Sequence, residues 1–252
     1  FLAVNLGFFL VLGILFFLLR RIQRPSLVEE ISPDLDSAPE GSGQGKIRDG
    51  ENRPASARPR PNPRREKVMD LYRYRGWIGV LSSNLFVGIL VNIVPLHIRD
   101  GLGYTERTAG LVLFVRCIAG LIGFTILARF TRWHFNRRWF ILVQGGLLFC
   151  ALAFALAGSR LNFYFVIVSV YGFVNSCCYN NSIFHSSVTG KNPRKNMALH
   201  EIFISIGNTC GALGGGFFYQ RLGFSGAFFI VSLFLGLGLA AFVMLNNRER
   251  PA

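Results

Sequence analysis

The chain has 252 residues, 51% of them hydrophobic and only 16% charged, whereas an average soluble domain carries roughly 25% charged residues. The apolar residues lie in long blocks with the charges between them, which excludes a string of ordinary soluble domains. A net charge of +14 would point to nucleic acid in a soluble protein, but here the basic residues concentrate in a few loops, as membrane topology requires, and nucleic acid is not an expected partner.

The first apolar block, 1–19, is apolar from Phe1 and runs directly into Arg20-Arg21. It has neither the basic start nor the small-residue cleavage site of a signal peptide, so it reads as a transmembrane helix near the middle of a longer membrane protein. Residues 20–75 follow, rich in Pro, Gly, Ser and charge, and including the run RPRPNPRR. No hydrophobic period survives there, and the expectation is a disordered, basic, partly polyproline-like linker.

Six more blocks are long enough to cross about 30 Å of hydrocarbon at about 1.5 Å per residue. They span 76–98, 107–128, 139–157, 161–184, 197–219 and 224–245, and residues 246–252 form a tail. Arg129, Arg132, Arg137 and Arg138 lie between the second and third of these, and Lys191, Arg194 and Lys195 between the fourth and fifth. The loops between these hold few basic residues, such as the single Arg160 and Arg221. This alternation puts the linker, the two basic loops and the tail in the cytoplasm. The expected class is therefore an all-α, polytopic membrane protein: a six-helix half-bundle (76–245) plus one extra N-terminal helix.

Several residues inside the blocks stand out. Arg116 lies about nine residues into its helix, roughly 14 Å deep. A central Arg costs at least about 2.5–3.5 kcal/mol to insert, so it should face the bundle interior or water. Two readings stay open: it lines a solute pathway, or it pairs structurally with a carboxylate elsewhere in the protein. Glu201 shares a polar stripe with Ser205 and Asn208, which suits a cavity, though a carboxylate near a helix N-terminus also gains from the dipole. His200 diverges from Glu201 by about 100° and cannot face the same partner. Tyr171, Asn175, Tyr179 and Ser182 form a stripe on their helix, with Tyr171 and Asn175 as candidate solute contacts and interhelical hydrogen bonding as the alternative. Asn84, Gly88 and Asn92 mark a similar side of the 76–98 helix. Gly207, Gly211 and Gly215 recur every fourth residue and predict close helix packing.

The five cysteines all fall in apolar blocks without zinc or redox spacing and are expected to be buried. His97, His134, His185, Trp77, Trp133 and Trp139 lie near helix ends and are expected at the interface. No G-x-S-x-G, H-E-x-x-H or phosphate-binding Gly-Lys loop occurs, so no catalytic residues, metal ligands or cofactor are expected and the chain does not read as an enzyme.

One helix, a long linker and six further helices resemble the second half of a major facilitator superfamily transporter, from its sixth helix to its twelfth. LGYTERTAGLVLFVRCIAGLIGF (102–124) resembles the family's approach to its eighth helix, and KNMALHEIFISIGNTCGALGGGFF (195–218) its eleventh. ARFTRWHFNRR (128–138) is similar to the second copy of its cytoplasmic loop motif: Arg129 and Arg132 fit basic positions, while Phe124, Ala128 and Thr131 replace Gly, Asp and Gly. The resemblance implies a secondary transporter of a small solute working by alternating access, with H+ as coupling ion, the lipid bilayer and a missing N-terminal half as partners, and the bacterial inner membrane as address. The alternatives are a non-transporting receptor or assembly protein on the same scaffold and, further off, a membrane-embedded lipid-modifying enzyme.

Overall fold

A computed structural model describes residues 63–130, 133–188 and 192–247. The expected first helix (1–19), most of the linker, Arg132 and the end of the tail lie outside the described residues. Five α-helices follow in order: α1 (Pro63–Leu96), α2 (Glu106–Arg129), α3 (Arg137–Ala155), α4 (Leu161–Val188) and α5 (Pro193–Asn247). All five are long and apolar enough to cross a membrane. α5 is one helix only by its hydrogen bonding. At Gly223 the backbone turns to φ 69°, ψ −172°, a conformation open to glycine, and the chain continues as a second arm. Blocks 76–98, 107–128, 139–157 and 161–184 fall on α1 to α4, and blocks 197–219 and 224–245 fall on the two arms of α5.

Local signals start the helices where the sequence turns polar. Thr105 caps α2 by accepting from Thr108 N, and Asn136 caps α3 by accepting from Arg138 N at 3.0 Å. Asn192 Oδ1 accepts from Lys195 N at 3.1 Å, and Pro193 follows at the first helical position, where a missing N–H costs nothing. α1 ends in a π-helical turn, His97–Gly101, two residues beyond Pro95.

The boundary of the linker differs from the expectation. α1 begins at Pro63, thirteen residues before 76. Tyr72 is buried and donates its hydroxyl to the Phe135 carbonyl at 2.8 Å, with Phe135 and Phe140 packed against its ring. This aromatic cluster sits where α1 begins, α2 ends and α3 begins, here termed the basic end. Several rings expected at the membrane interface are packed inside the bundle at this end. His185 is fully buried and stacks on Tyr72, Trp77 donates to Ser186 Oγ at 2.9 Å, and Trp133 and Trp139 are buried as well. His134 stacks on Phe184 with centroids 3.7 Å apart. Burial holds the His134 imidazole below its ordinary pKa. Its contribution to loop stability is therefore complete above about pH 6.5 and falls as the pH drops below that, because the unfolded loop takes up the proton first. The protection of the 133–136 amides, exchange rate relative to the intrinsic rate at the same pH, should fall on acidification below about pH 6, and a His134→Phe variant should lose that fall.

Two helix pairs hold the bundle. α1 lies along the first arm of α5: a Cβ on Gly207 would come within 2.7 Å of the Leu81 carbonyl, one on Gly211 would strike the Leu85 carbonyl, and one on Gly215 would meet Ile89. α2 lies along α4 at Gly120, Gly123 and Gly172. In lipid there is little hydrophobic force between helices, so close backbone packing and interhelical hydrogen bonds do the holding. The core between α1, α3, α4 and the second arm of α5 is aromatic: Phe86 packs on Tyr171 at 4.4 Å, and Phe154 stacks on Phe228 at 4.8 Å. At the opposite end His97 stacks on Phe224 at 3.9 Å, tying the end of α1 to the start of that arm.

From their basic bias, residues 133–138 and 192–195 are expected on the cytoplasmic side. With the exposed Cys117 and Cys210 removed, a cysteine at Arg138 or Ser187, both exposed, should resist a membrane-impermeant thiol reagent in intact cells. Ready labelling of both would reverse the orientation.

Candidate functional site: a polar groove between α1 and α2

On α4, successive side chains diverge by about 100°. Tyr171 turns toward α1 and donates its hydroxyl to the Ser83 carbonyl at 2.8 Å. Gly172 and Ser176 turn toward α2, Gly172 beneath the Arg116 backbone and Ser176 against Gly123. Asn175 and Tyr179 project between these two directions, so they form the floor of a groove between α1 and α2. Asn175 is half-buried. Tyr179 meets Phe124 of α2 edge-on at 5.6 Å and His200 of α5 at 5.1 Å.

Arg116 stands over this floor. Its Nη2 points to Cys117 Sγ at 3.6 Å, a weak acceptor, and its Nε is buried without a hydrogen-bond partner. Among the described residues no carboxylate lies within ion-pairing distance of it. The sequence explains why: residues 71–247 contain three acids, Asp100, Glu106 and Glu201. Asp100 and Glu106 gather around Arg99 at the opposite end, with Glu106 Oε1 3.5 Å from its guanidinium. Glu201 lies near the basic end, its carboxylate 3.9 Å from His200 Nε2. Glu106 is ten residues before Arg116, about 15 Å along the helix.

α5 closes the groove toward the basic end. His200 is fully buried, with Nδ1 2.8 Å from Ser182 Oγ. Glu201 is 63% exposed and close enough to Tyr179 to act on its hydroxyl. Ser205 and Asn208 are exposed on the same stripe. On α1, Asn84 is half-buried and donates to its own helix at Val80 O, 2.8 Å.

The expected set is thus divided. Helix direction puts Asn175 on the side of α4 between α1 and α2, Glu201 lies beside Tyr179, and Asn84 and Asn208 lie at the α1–α5 contact. Asn92 is exposed further toward the opposite end, with its amide spent on the Gly88 carbonyl at 2.6 Å. Tyr171 departs from the expected solute contact: it is fully buried, and its hydroxyl bridges two helices, because its direction from α4 meets α1 rather than open space. Arg129 is exposed at the end of α2, as a basic loop residue should be. Two of the five cysteines, Cys117 and Cys210, are exposed and so differ from the expected burial. Cys117, next to Arg116, was not singled out as a site residue, and Tyr179 was noted only as part of the α4 stripe. Residue 117 could have been placed at the groove from the direction of its neighbour, whereas Tyr179 needed the packing of three helices. A second hollow, about 440 Å³, lies between the end of α3 and the second arm of α5; Ser225 is its one polar side chain among Ala155, Leu156, Leu222, Gly226, Phe229 and Ile230. It offers no comparable set of groups.

The family model described as Major Facilitator Superfamily matches residues 1–194, more than three quarters of the chain. The chain belongs to the major facilitator superfamily. It is therefore an integral membrane transporter and not an enzyme, and the all-helical bundle fits that membership. A comparison with curated proteins finds none that matches.

Proposed function

We propose that the chain forms the C-terminal half of a secondary active transporter that moves a small solute by alternating access. Two halves would rock about a site near the bilayer midplane, and the groove over α4 would supply this half's share of that site. The observation that carries the reading is Arg116, a guanidinium at mid-helix with no carboxylate partner among the described residues. A charge so placed is expensive in hydrocarbon and is kept where it faces water or a partner. The adjoining pair, buried His200 and exposed Glu201, supports H+ as the coupling ion, since an imidazole changes charge in the physiological range. The basic end would face the cytoplasm across the plasma membrane.

The test is transport by the full-length protein in vesicles under an imposed pH gradient, with a library of small solutes followed by uptake and by solute-driven H+ movement. At least one solute should move faster than in protein-free vesicles. If folded protein moves none of them, the scaffold serves reception or assembly and the proposal fails. Solute movement without H+ movement would remove the coupling ion alone.

A further inference from the structure

We propose that the solute is an anion, a small carboxylate or phosphate, and that Arg116 holds it. This inference rests on the transport reading of the groove and adds the chemical class of its ligand.

The argument begins with a charge inventory. Of the three acids in residues 71–247, two surround Arg99 and the third stands beside His200. None is placed to neutralise Arg116, and the other groove groups, Asn175, Tyr179 and Cys117, are uncharged. The guanidinium is also poorly served as a hydrogen-bond donor. It carries five N–H groups, yet Nε is buried without a partner and Nη2 reaches only a sulfur at 3.6 Å. A planar guanidinium is matched by a group with two coplanar acceptor oxygens, and a carboxylate or phosphate supplies both the acceptors and the missing negative charge.

Packing fixes where that group would sit. The α4 backbone at Gly172 packs directly against the Arg116 carbonyl. Arg116 Nη2 lies 3.6 Å from the sulfur of Cys117, an exposed residue of α2. An oxyanion bound to Nη2 from that side would displace the thiol contact and cover Cys117. Half-buried Asn175, on the groove floor, could donate its amide to a second oxygen. The acid nearest the groove, Glu201, is separated from this level by the distance between Gly172 and Tyr179, seven residues or about 10 Å along α4. It is far enough not to compete and would select against a second negative charge extending toward the basic end. That favours a compact anion over an elongated dianion.

Cys117 provides a native reporter. In full-length protein carrying Cys210→Ser, Cys117 is the exposed thiol among the described cysteines, because Cys150, Cys177 and Cys178 are buried. Its alkylation by neutral N-ethylmaleimide would be timed in detergent with inorganic phosphate, acetate, benzoate and succinate, and with the uncharged acetamide, benzamide and succinamide. At least one anion should slow alkylation saturably, by roughly tenfold when nine-tenths of the sites are filled, while its amide does not. Arg116→Lys should weaken the protection and Arg116→Gln abolish it. The comparison of anion with amide needs no variant at Arg116, so it stands even if the Gln protein fails to fold. Added phosphatidylglycerol forms a separate arm: protection by this lipid alone would assign the oxyanion to a headgroup and overturn the solute. Protection by no anion, or equal protection by an anion and its amide, would also overturn the proposal. Transport without anion protection would sink the anion alone, whereas anion protection in a protein that moves no solute would sink the transport reading alone.

Discussion

Arg116→Gln should reduce transport to the level of protein-free vesicles while leaving the protein inserted and folded. Gln keeps two donors and an acceptor but no charge, and it is shorter than Arg. Insertion should become easier, since a central guanidinium costs at least about 2.5–3.5 kcal/mol that the amide largely avoids. Loss of activity together with normal or improved folding is therefore the signature of a charge kept for function. Arg116→Lys should recover part of the activity, because it restores the charge but not the planar fork of donors. The competing structural reading makes the opposite prediction. If Arg116 is paired with a carboxylate outside the described residues, the Gln variant strands that carboxylate, and breaking a buried pair costs about 3–5 kcal/mol of stability. The deciding quantity is transport per folded molecule, with folded protein counted by size-exclusion chromatography before reconstitution. Wild-type turnover at wild-type affinity from Arg116→Gln would remove this residue from the mechanism.

The helices were legible because a membrane helix is specified by length and apolarity alone, and the six blocks of adequate length fall on five long apolar helices, the last of them turning at Gly223. The start of α1 was not legible in the same way. Residues 63–75 carry five basic side chains and a proline, which mask the Met69 and Tyr72 pair that packs at the basic end. Charge density argues for a linker, but tertiary contact with Phe135 and Phe140 decides for a helix. The candidate site shows the same division. A lone arginine among apolar residues is conspicuous in any helix, and the 100° step separates buried His200 from exposed Glu201 without a structure. Tyr171 and Tyr179, eight residues apart and polar alike, could not be told apart by pattern. One is sealed against Ser83 and the other faces the groove, and the difference lies in which neighbouring helix occupies each direction. The tryptophans were misplaced for a related reason: an indole near a helix end suits an interface, but here the ends of four helices fold over these rings.

Gly172→Ala is expected to destabilise the bundle strongly, whereas Gly110→Ala, a chemically identical change in α2, should be neutral or mildly stabilising. Both glycines lie in helix interiors, where alanine is favoured by roughly 0.5–1 kcal/mol. Propensity alone thus predicts the same small gain at each site. The surroundings differ. A Cβ at Gly110 meets nothing within 4 Å, while one at Gly172 falls on the carbonyl oxygen of Arg116 and lies 3.1 Å from the Ala119 methyl. The obstacle is backbone, which has no rotamer with which to yield, so α2 and α4 must separate along their contact. Overpacking of this kind costs about 1–3 kcal/mol, and more when two backbones must part. In lipid the loss is not recovered by hydrophobic burial, because lipid chains solvate the separated faces as well as the helices solvated each other. The displacement would also shift Arg116 relative to Asn175, so the surviving folded fraction should transport poorly. Thermal unfolding in detergent, followed by the retention of a monodisperse peak, would rank the two variants. A Gly172→Ala protein as stable as Gly110→Ala would mean that α2 and α4 do not cross at this glycine, and the groove built on that crossing would have to be redrawn.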